Sequence, residues 1–148
     1  MLLETPIGPL SLRASERGLV SIDFGGTAVP ETPLLIDVAT QLTEYFAGHR
    51  VLFDVPLDLD DTGFRGQAQA ALSDIPFGET ASYSELAALC GNPRAVRAVG
   101  SACASNPVPI IRPCHRVLRA DGSLGGYRGG LKAKEWLLAH EKRLRGNL

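Results

Sequence analysis

Residues 82–104 read SYSELAALCGNPRAVRAVGSACA, and the parsing of this stretch decides the fold of the second half of the chain. Ser82, followed three positions later by Glu85, has the form of a capping box, in which hydroxyl and carboxylate each satisfy a backbone N–H at a helix start. Leu86 and Leu89 give the short helix an apolar side, and Gly91 ends it. Asn92-Pro93 reads as the immediate start of a second helix running to about Ala104. Two short helices around a glycine-containing turn have the helix-turn-helix pattern, which an ordinary helical hairpin shares. The second helix carries Arg94 and Arg97 among Ala95, Ala98, Gly100, Ser101, Ala102 and Ala104. A slim basic helix can press against a phosphate backbone, and the same small residues also permit close helix packing.

Working outward, Phe64 to Leu72 is expected as a helix ending before Pro76. Residues 6–24 read as a hairpin, with Leu10 and Leu12 alternating before a turn at Glu16-Arg17-Gly18 and Val20, Ile22 and Phe24 after it. Thr32 and Pro33 suit the N-cap and first turn of a helix whose apolar period runs from Leu34 through Phe46 to a stop at Gly48. Phe53, Val55, Leu57 and Leu59 alternate as a third strand, which Pro56 places at an edge. The acidic run Asp58, Asp60, Asp61 reads as a linker rather than a metal site, since nothing nearby completes one. The expected domains are residues 1–61, a small sheet with one helix, and residues 62–148, mainly helical. Downstream come a strand-like Ile110-Ile111, the run Pro113 to Val117, a turn at Asp121-Gly122, a glycine-rich stretch from Gly125 to Gly130 and a last helix from Leu131 to about Arg143.

Composition limits the function. The 148 residues, 45% hydrophobic, suffice for one domain or two small ones. No segment approaches the roughly 20 apolar residues of a membrane span, and no signal-like N-terminal pattern is present. Cys90, Cys103 and Cys114 are an odd, clustered set unlike a secreted disulfide framework, so a reducing cytoplasm is expected. The net charge of -1 conceals a split: residues 1–61 hold three arginines against ten acidic residues, whereas 62–148 hold twelve basic against six acidic. Either the second half approaches a polyanion or the pattern is merely solvated.

A cysteine is nucleophilic as its thiolate, and at an ordinary pKa of about 8.5 little of it is ionised at neutral pH. Beside Cys114 stand His115 and the cationic Arg112 and Arg116. Neighbours on an extended strand face opposite ways, so contact between Cys114 and His115 needs a turn or a bridging water. Glu141, three and four residues after Leu138 and Leu137, lies on a side carrying apolar residues, where a shielded carboxylate wants a donor. If His115 supplies it, carboxylate, imidazole and thiol form an activating chain; otherwise Glu141 is an ordinary surface partner.

The segments IPFGETASYSELAALCGNP, RAVRAVGSACASNPVPIIRPCHRV and GGYRGGLKAKEWLLAHE resemble the O6-alkylguanine-DNA alkyltransferases, also called methylated-DNA-protein-cysteine methyltransferases, from Ile75 to Glu141 almost without a gap. The N-terminal TPIGPLSL, RGLVSIDF and LTEYFAG are similar to that family's first domain. The resemblance implies an α+β protein: a ribonuclease H-like sheet domain followed by a winged helix-turn-helix domain. It implies DNA repair, in which Cys114 takes an alkyl group from O6-alkylguanine, or O4-alkylthymine, irreversibly and once per molecule. His115 and Glu141 would activate Cys114 through water, with Asn106 bracing the turn. Tyr83 would help rotate the nucleotide and donate toward the base. Arg97 would fill the gap in the duplex, with Arg94, Ala98 and Ser101 on the helix entering the minor groove. Val117, Tyr127, Arg128 and Cys103 would form the substrate pocket.

The implied partner is double-stranded DNA, met by a monomer, with no membrane and no cofactor. No metal is expected, because residues 1–61 contain no cysteine and only His49. Two departures from the family pattern stand out: Gln69 occupies a position that is often aromatic, and Arg112 a usually aliphatic one. Cys90 and Cys103 read as small buried helix residues, Cys103 with a possible place in the pocket. Three other readings compete. A lesion sensor of the same family would lack the motif cysteine, a transcriptional regulator would have no use for Cys114, His115 and Glu141 together, and a cysteine hydrolase would need a nucleophile elbow that is not evident.

Overall fold

The computed structural model describes residues 1–28 and 30–146, which cluster into two compact units, Met1–Leu59 and Asp60–Leu148. In the first, β1 (Leu2–Leu3), β2 (Leu10–Ala14) and β3 (Leu19–Phe24) form an antiparallel sheet in that order. Leu10 faces Phe24 and Leu12 faces Ile22 across the β2–β3 hairpin. Leu10, Leu12, Leu19 and Ile22 are buried together with Leu35, Val38, Leu42 and Tyr45 of α1 (Pro33–Phe46), the strand and helix periods each supplying one apolar face. Thr32 caps α1 by accepting from the Leu35 N–H at 3.2 Å.

The expected strand from Phe53 to Leu59 does not form. Only a single parallel bridge joins Leu57 to Leu19, with the Leu19 N–H donating to the Pro56 carbonyl at 2.8 Å and the Asp58 N–H to the Leu19 carbonyl at 3.0 Å. Gly18 permits this approach, since a Cβ there would lie 2.6 Å from the Pro56 carbonyl oxygen. Proline has no N–H to offer a ladder. The Asp54 backbone is taken instead by the buried Gln41 side chain, whose Oε1 accepts from the Asp54 N–H and whose Nε2 donates to the Asp54 carbonyl, both at 2.9 Å. A side-chain amide on α1 thus replaces a strand neighbour, and β1 is the third strand.

The second unit contains α2 (Gly63–Ala71), β4 (Ala81–Ser82), α3 (Tyr83–Leu89), α4 (Val96–Ala104), β5 (Val117–Leu118) and α5 (Leu131–Arg145). Both halves of the capping box are present: the Glu85 N–H donates to Ser82 Oγ and the Ser82 N–H to Glu85 Oε1, each at 3.0 Å. β4 pairs in parallel with β5, Ala81 opposite Val117. The core gathers Leu72, Ile75, Leu86, Ala87, Val99, Cys114 and Val117. Leu89 is 63% exposed, so the apolar side of α3 is Leu86 with Ala87.

The helix-turn-helix pair is α3 and α4, but α4 begins at Val96 rather than at Asn92-Pro93. Asn92 and Pro93 occupy the first two positions of a β-turn closed by the Ala95 N–H on the Asn92 carbonyl at 3.0 Å, a role that suits both residues. Arg94 therefore lies in the turn and not on the helix. Ile110 and Ile111 are likewise a turn, with Ile110 at φ 74°, where a β-branched residue is strained. No described helix is long and apolar enough to cross a membrane.

Replacing Gln41 with Leu should lower the unfolding free energy by about 1–3 kcal/mol, because the Asp54 backbone loses both partners. Urea denaturation measures this, and an unchanged midpoint would show that the amide is dispensable.

Candidate active site

Cys114 opens a single 3-10 turn, Cys114–Arg116, so the nucleophile and His115 sit on a tight turn and not on an extended strand. Asn106 builds the approach to it. Its Nδ2 donates to the Arg112 carbonyl at 2.7 Å, and its Oδ1 accepts from the Val108 N–H at 3.2 Å. The Cys114 N–H donates to the same Arg112 carbonyl at 2.8 Å, and the Arg112 N–H to Val108 at 2.9 Å. These bonds over-determine the strained Ile110, whose conformation costs on the order of 1–3 kcal/mol, and they carry Cys114 to the edge of a cavity.

His115 is wholly buried, with Nε2 2.7 Å from Glu141 Oε2. Arg116 completes the cluster: Nε and Nη2 donate to the two Glu141 oxygens at 2.8 and 3.1 Å, and Nη1 to the Ile75 carbonyl at 2.6 Å. Burial pushes the Glu141 carboxyl up, but the hydrogen bonds and charges of His115 and Arg116 outweigh it and hold the group well below the ordinary carboxylate range. Burial pulls His115 below its usual pKa against the pull of Glu141. The pair is therefore a neutral imidazole on a carboxylate, Nε2–H donating. His115 Nδ1 then presents a lone pair, and it is buried without a hydrogen-bonding partner among the described residues.

Burial raises the Cys114 thiol pKa, opposed by a hydrogen bond with Asn106 and by the charges of Lys134 and Arg128. Neither flanking arginine supplies that charge, contrary to the sequence expectation. Arg116 is spent on Glu141. Arg112 is buried and pairs in bidentate fashion with Asp61, at 2.8 and 2.9 Å, which answers the charge introduced at this departure.

The cavity beside Cys114 holds about 620 Å³. Val96, Arg97, Gly100, Cys103 and Ala104 of α4 form one wall, and Tyr83, Arg119 and residues 125–128 the other. Tyr83, half-buried, has its hydroxyl against Gly125, where an added Cβ would lie 2.9 Å from the oxygen and φ is +70°. Arg97, Ala98 and Ser101 are exposed on α4.

The sequence matches the family described as "6-O-methylguanine DNA methyltransferase, DNA binding domain" over residues 63–143, and the same family's ribonuclease-like domain over residues 1–59. The methylated-DNA–protein-cysteine methyltransferase of Methanosarcina barkeri is 43% identical over 150 residues, covering 95% of both chains. That of Methanosarcina acetivorans is 44% identical, covering 95% of this chain and 96% of its own. The crystal structure of Mycobacterium tuberculosis OGT in complex with DNA superposes with a TM-score of 0.90 at 42% identity, covering 97% of this chain and 92% of that one. The chain belongs to the 6-O-methylguanine DNA methyltransferase family.

In this methyltransferase the expected pocket residues divide. Tyr127, Arg128 and Cys103 line the cavity, whereas Val117 is fully buried in the core beneath Cys114 and does not. Cys103 and Cys90 are half-buried rather than buried; burial, then Cys114, pushes the Cys103 thiol up to about 12. Gln69 is buried and donates to the Ala102 carbonyl of α4 at 3.1 Å, so the amide ties two helices where the family often packs a ring. Sequence reasoning missed Arg116 as a Glu141 partner, Arg119 at the rim, and Lys134. A signal for the last existed: Lys134 shares one face of α5 with Ala133, Leu137, His140 and Glu141, and a lysine in a buried stripe needs acceptors.

Glu141→Gln should destabilise the protein by about 3–5 kcal/mol, since it removes the carboxylate charge paired with the buried Arg116 guanidinium. Chemical denaturation measures the loss. A change under about 1 kcal/mol would mean that Arg116 is compensated elsewhere.

Proposed function

We propose that this methyltransferase accepts the alkyl group of O6-alkylguanine in DNA on Cys114 Sγ, once per molecule. The observation that carries the proposal is the orphaned Nδ1 of His115, a neutral imidazole whose other nitrogen is held by Glu141, on the residue next to a cavity-lining thiol. A thiol raised by burial rests protonated and needs a base at the moment of attack. His115 Nδ1 takes the Cys114 proton through a bridging water, Glu141 stabilises the imidazolium, and Asn106 holds the turn. Sulfur then bonds to the alkyl carbon as the carbon–O6 bond breaks. The electron pair passes to the purine, where the Tyr83 hydroxyl donates to relieve the charge. The product thioether on Cys114 has no leaving group, so the reaction does not recycle. O4-alkylthymine presents the same alkyl–oxygen bond and is a candidate second substrate.

A lesion stacked in a duplex cannot meet Sγ in line, so the nucleotide must rotate into the pocket. The face of α4 bearing Arg97, Ala98 and Ser101 suits close approach in the minor groove, with Arg97, at the cavity rim, replacing the extruded base. Arg94, exposed in the turn before α4, and Arg119 at the rim are placed to meet phosphates. On this reading residues 62–148 are the alkyltransferase domain, working as a monomer on double-stranded DNA in the cytoplasm. No cofactor takes part. The backbone of Arg128 and the ring of Tyr127 face O6.

Incubation with an oligonucleotide containing O6-methylguanine should add one methyl to the intact mass, mapped to Cys114 and absent in Cys114→Ala. Binding without mass change would support a lesion sensor, and repeated turnover would rule out the stoichiometric mechanism. His115→Phe should slow transfer by about a hundredfold or more. In the wild type, because burial lowers the His115 pKa, the base stays unprotonated and transfer should hold as pH falls to about 6.5, declining only below that. A decline beginning above pH 7 would contradict the assignment. Arg97→Ala should slow transfer from duplex DNA more than reaction with free O6-benzylguanine, and equal losses would remove its role in rotation.

A further inference from the structure

The charged side chains lining the cavity beside Cys114 are Arg97, Arg119 and Arg128, and no carboxylate is among the described residues that line it. Arg97 on α4 and Arg119 after β5 stand where a duplex accounts for them. Arg128 differs. It is the only charged residue of the loop Leu124 to Gly130, it is exposed, and its positive charge is felt inside the cavity, drawing both the Cys114 thiol and the Tyr127 hydroxyl down against burial. Much of the remaining lining is small or apolar, with Val96, Gly100, Cys103 and Ala104 on the facing wall. A volume of about 620 Å³ lies in the range that takes a drug-sized ligand, so a guanine there has room for a substituent larger than methyl. A methyl group has no use for a guanidinium, whereas an anionic substituent does.

We propose that the pocket selects adducts that end in an anion, the Arg128 guanidinium receiving the carboxylate of an O6-carboxymethylguanine. With the Arg128 backbone facing O6, the side chain of the same residue lies beside whatever O6 carries. The step is the displacement already described: Sγ bonds to the methylene carbon, the carbon–O6 bond breaks and its electron pair passes to the purine. The thiol proton taken by His115 returns to the purine through solvent, leaving guanine in the DNA and a carboxymethyl thioether on Cys114. The carboxylate makes the difference. It approaches a sulfur that is becoming a thiolate, and like charges at short range in a cavity of low dielectric repel. Without a cation the pocket would therefore disfavour this group against a neutral one of the same size. Arg128 reverses the sign, and its planar fork of donors suits a carboxylate in bidentate fashion.

Charge selection rests on the reading of Cys114 as the alkyl acceptor, and the test separates the two. Duplexes carrying O6-methylguanine, O6-carboxymethylguanine or O6-(carbamoylmethyl)guanine are incubated with the full-length protein, with Arg128→Gln and with Arg128→Lys, and single-turnover rates are read from the intact mass. The carbamoylmethyl group matches carboxymethyl in size and lacks its charge. The ratio of those two rates therefore reports charge selection, and any change in DNA affinity or stability that slows both cancels. In the wild type carboxymethyl should transfer about threefold or more faster than carbamoylmethyl, and Arg128→Gln should lower the ratio by about tenfold, the effect of losing one hydrogen-bonded charge partner. Arg128→Lys should keep the ratio above unity. Raising the salt from about 0.05 to about 0.5 M should lower the wild-type ratio, because an exposed guanidinium is screened. Should Arg128→Gln not fold, the wild-type ratio and its salt dependence decide. A wild-type ratio of one or less overturns the proposal, as does a ratio that folded Arg128→Gln leaves unchanged or that salt does not move. Absence of methyl transfer by the wild type would instead overturn the acceptor reading.

Discussion

The carboxylate of Glu141 is the constraint around which the second unit is organised. It is almost entirely buried and receives hydrogen bonds from His115 and, twice, from Arg116. An isolated buried carboxylate would cost far more than a domain's net stability, so both donors are obligatory. Satisfying them fixes α5 against the turn that begins with Cys114. Arg116 extends the arrangement to the Ile75 carbonyl, tying in the segment between α2 and β4. One ionised group thus joins the last helix, the nucleophile turn and the chain leading to α3.

That arrangement leaves Cys114 in an unusual state for a nucleophile. Arginine, lysine and histidine all lie nearby, yet burial dominates and the thiol pKa is raised. Arg116 and Arg112 each have a carboxylate of their own, at Glu141 and Asp61, and so contribute structure rather than thiolate stabilisation. A protonated resting thiol is protected from adventitious electrophiles, which matters for a group that reacts once. In the mechanism proposed above, reactivity depends on a base that is neutral at physiological pH, and the lowered pKa of His115 suits it to that role.

How much of this was legible in the sequence depended on whether a feature was local. The β2–β3 hairpin, the Thr32 cap and the Ser82–Glu85 capping box follow from short-range chemistry and lie where the residues place them. The family expectation, carried by PCHRV and its flanks, matched as well. Features set by tertiary partners were not legible. Phe53 to Leu59 alternates like a strand, but Gln41, thirteen residues from Asp54, captures its backbone. Ile110-Ile111 has strand propensity, but Asn106 bends it through a left-handed residue. The charge of Arg112 and Arg116 could be counted from the sequence, while the direction in which each guanidinium points could not.

The Arg112 position makes the same point about substitution. A guanidinium in place of an aliphatic side chain, two residues before the nucleophile, would be expected to perturb both packing and thiol. In this chain its bidentate partner, Asp61, lies 51 positions earlier in the acidic run at the start of the second unit. The pair holds the side chain away from the cavity, while the Arg112 backbone carbonyl still accepts from both Asn106 and Cys114. The backbone carries the function and the side chain is answered elsewhere. Because the two are separable, an arginine can stand beside the nucleophile without changing its chemistry, provided that Asp61 accompanies it.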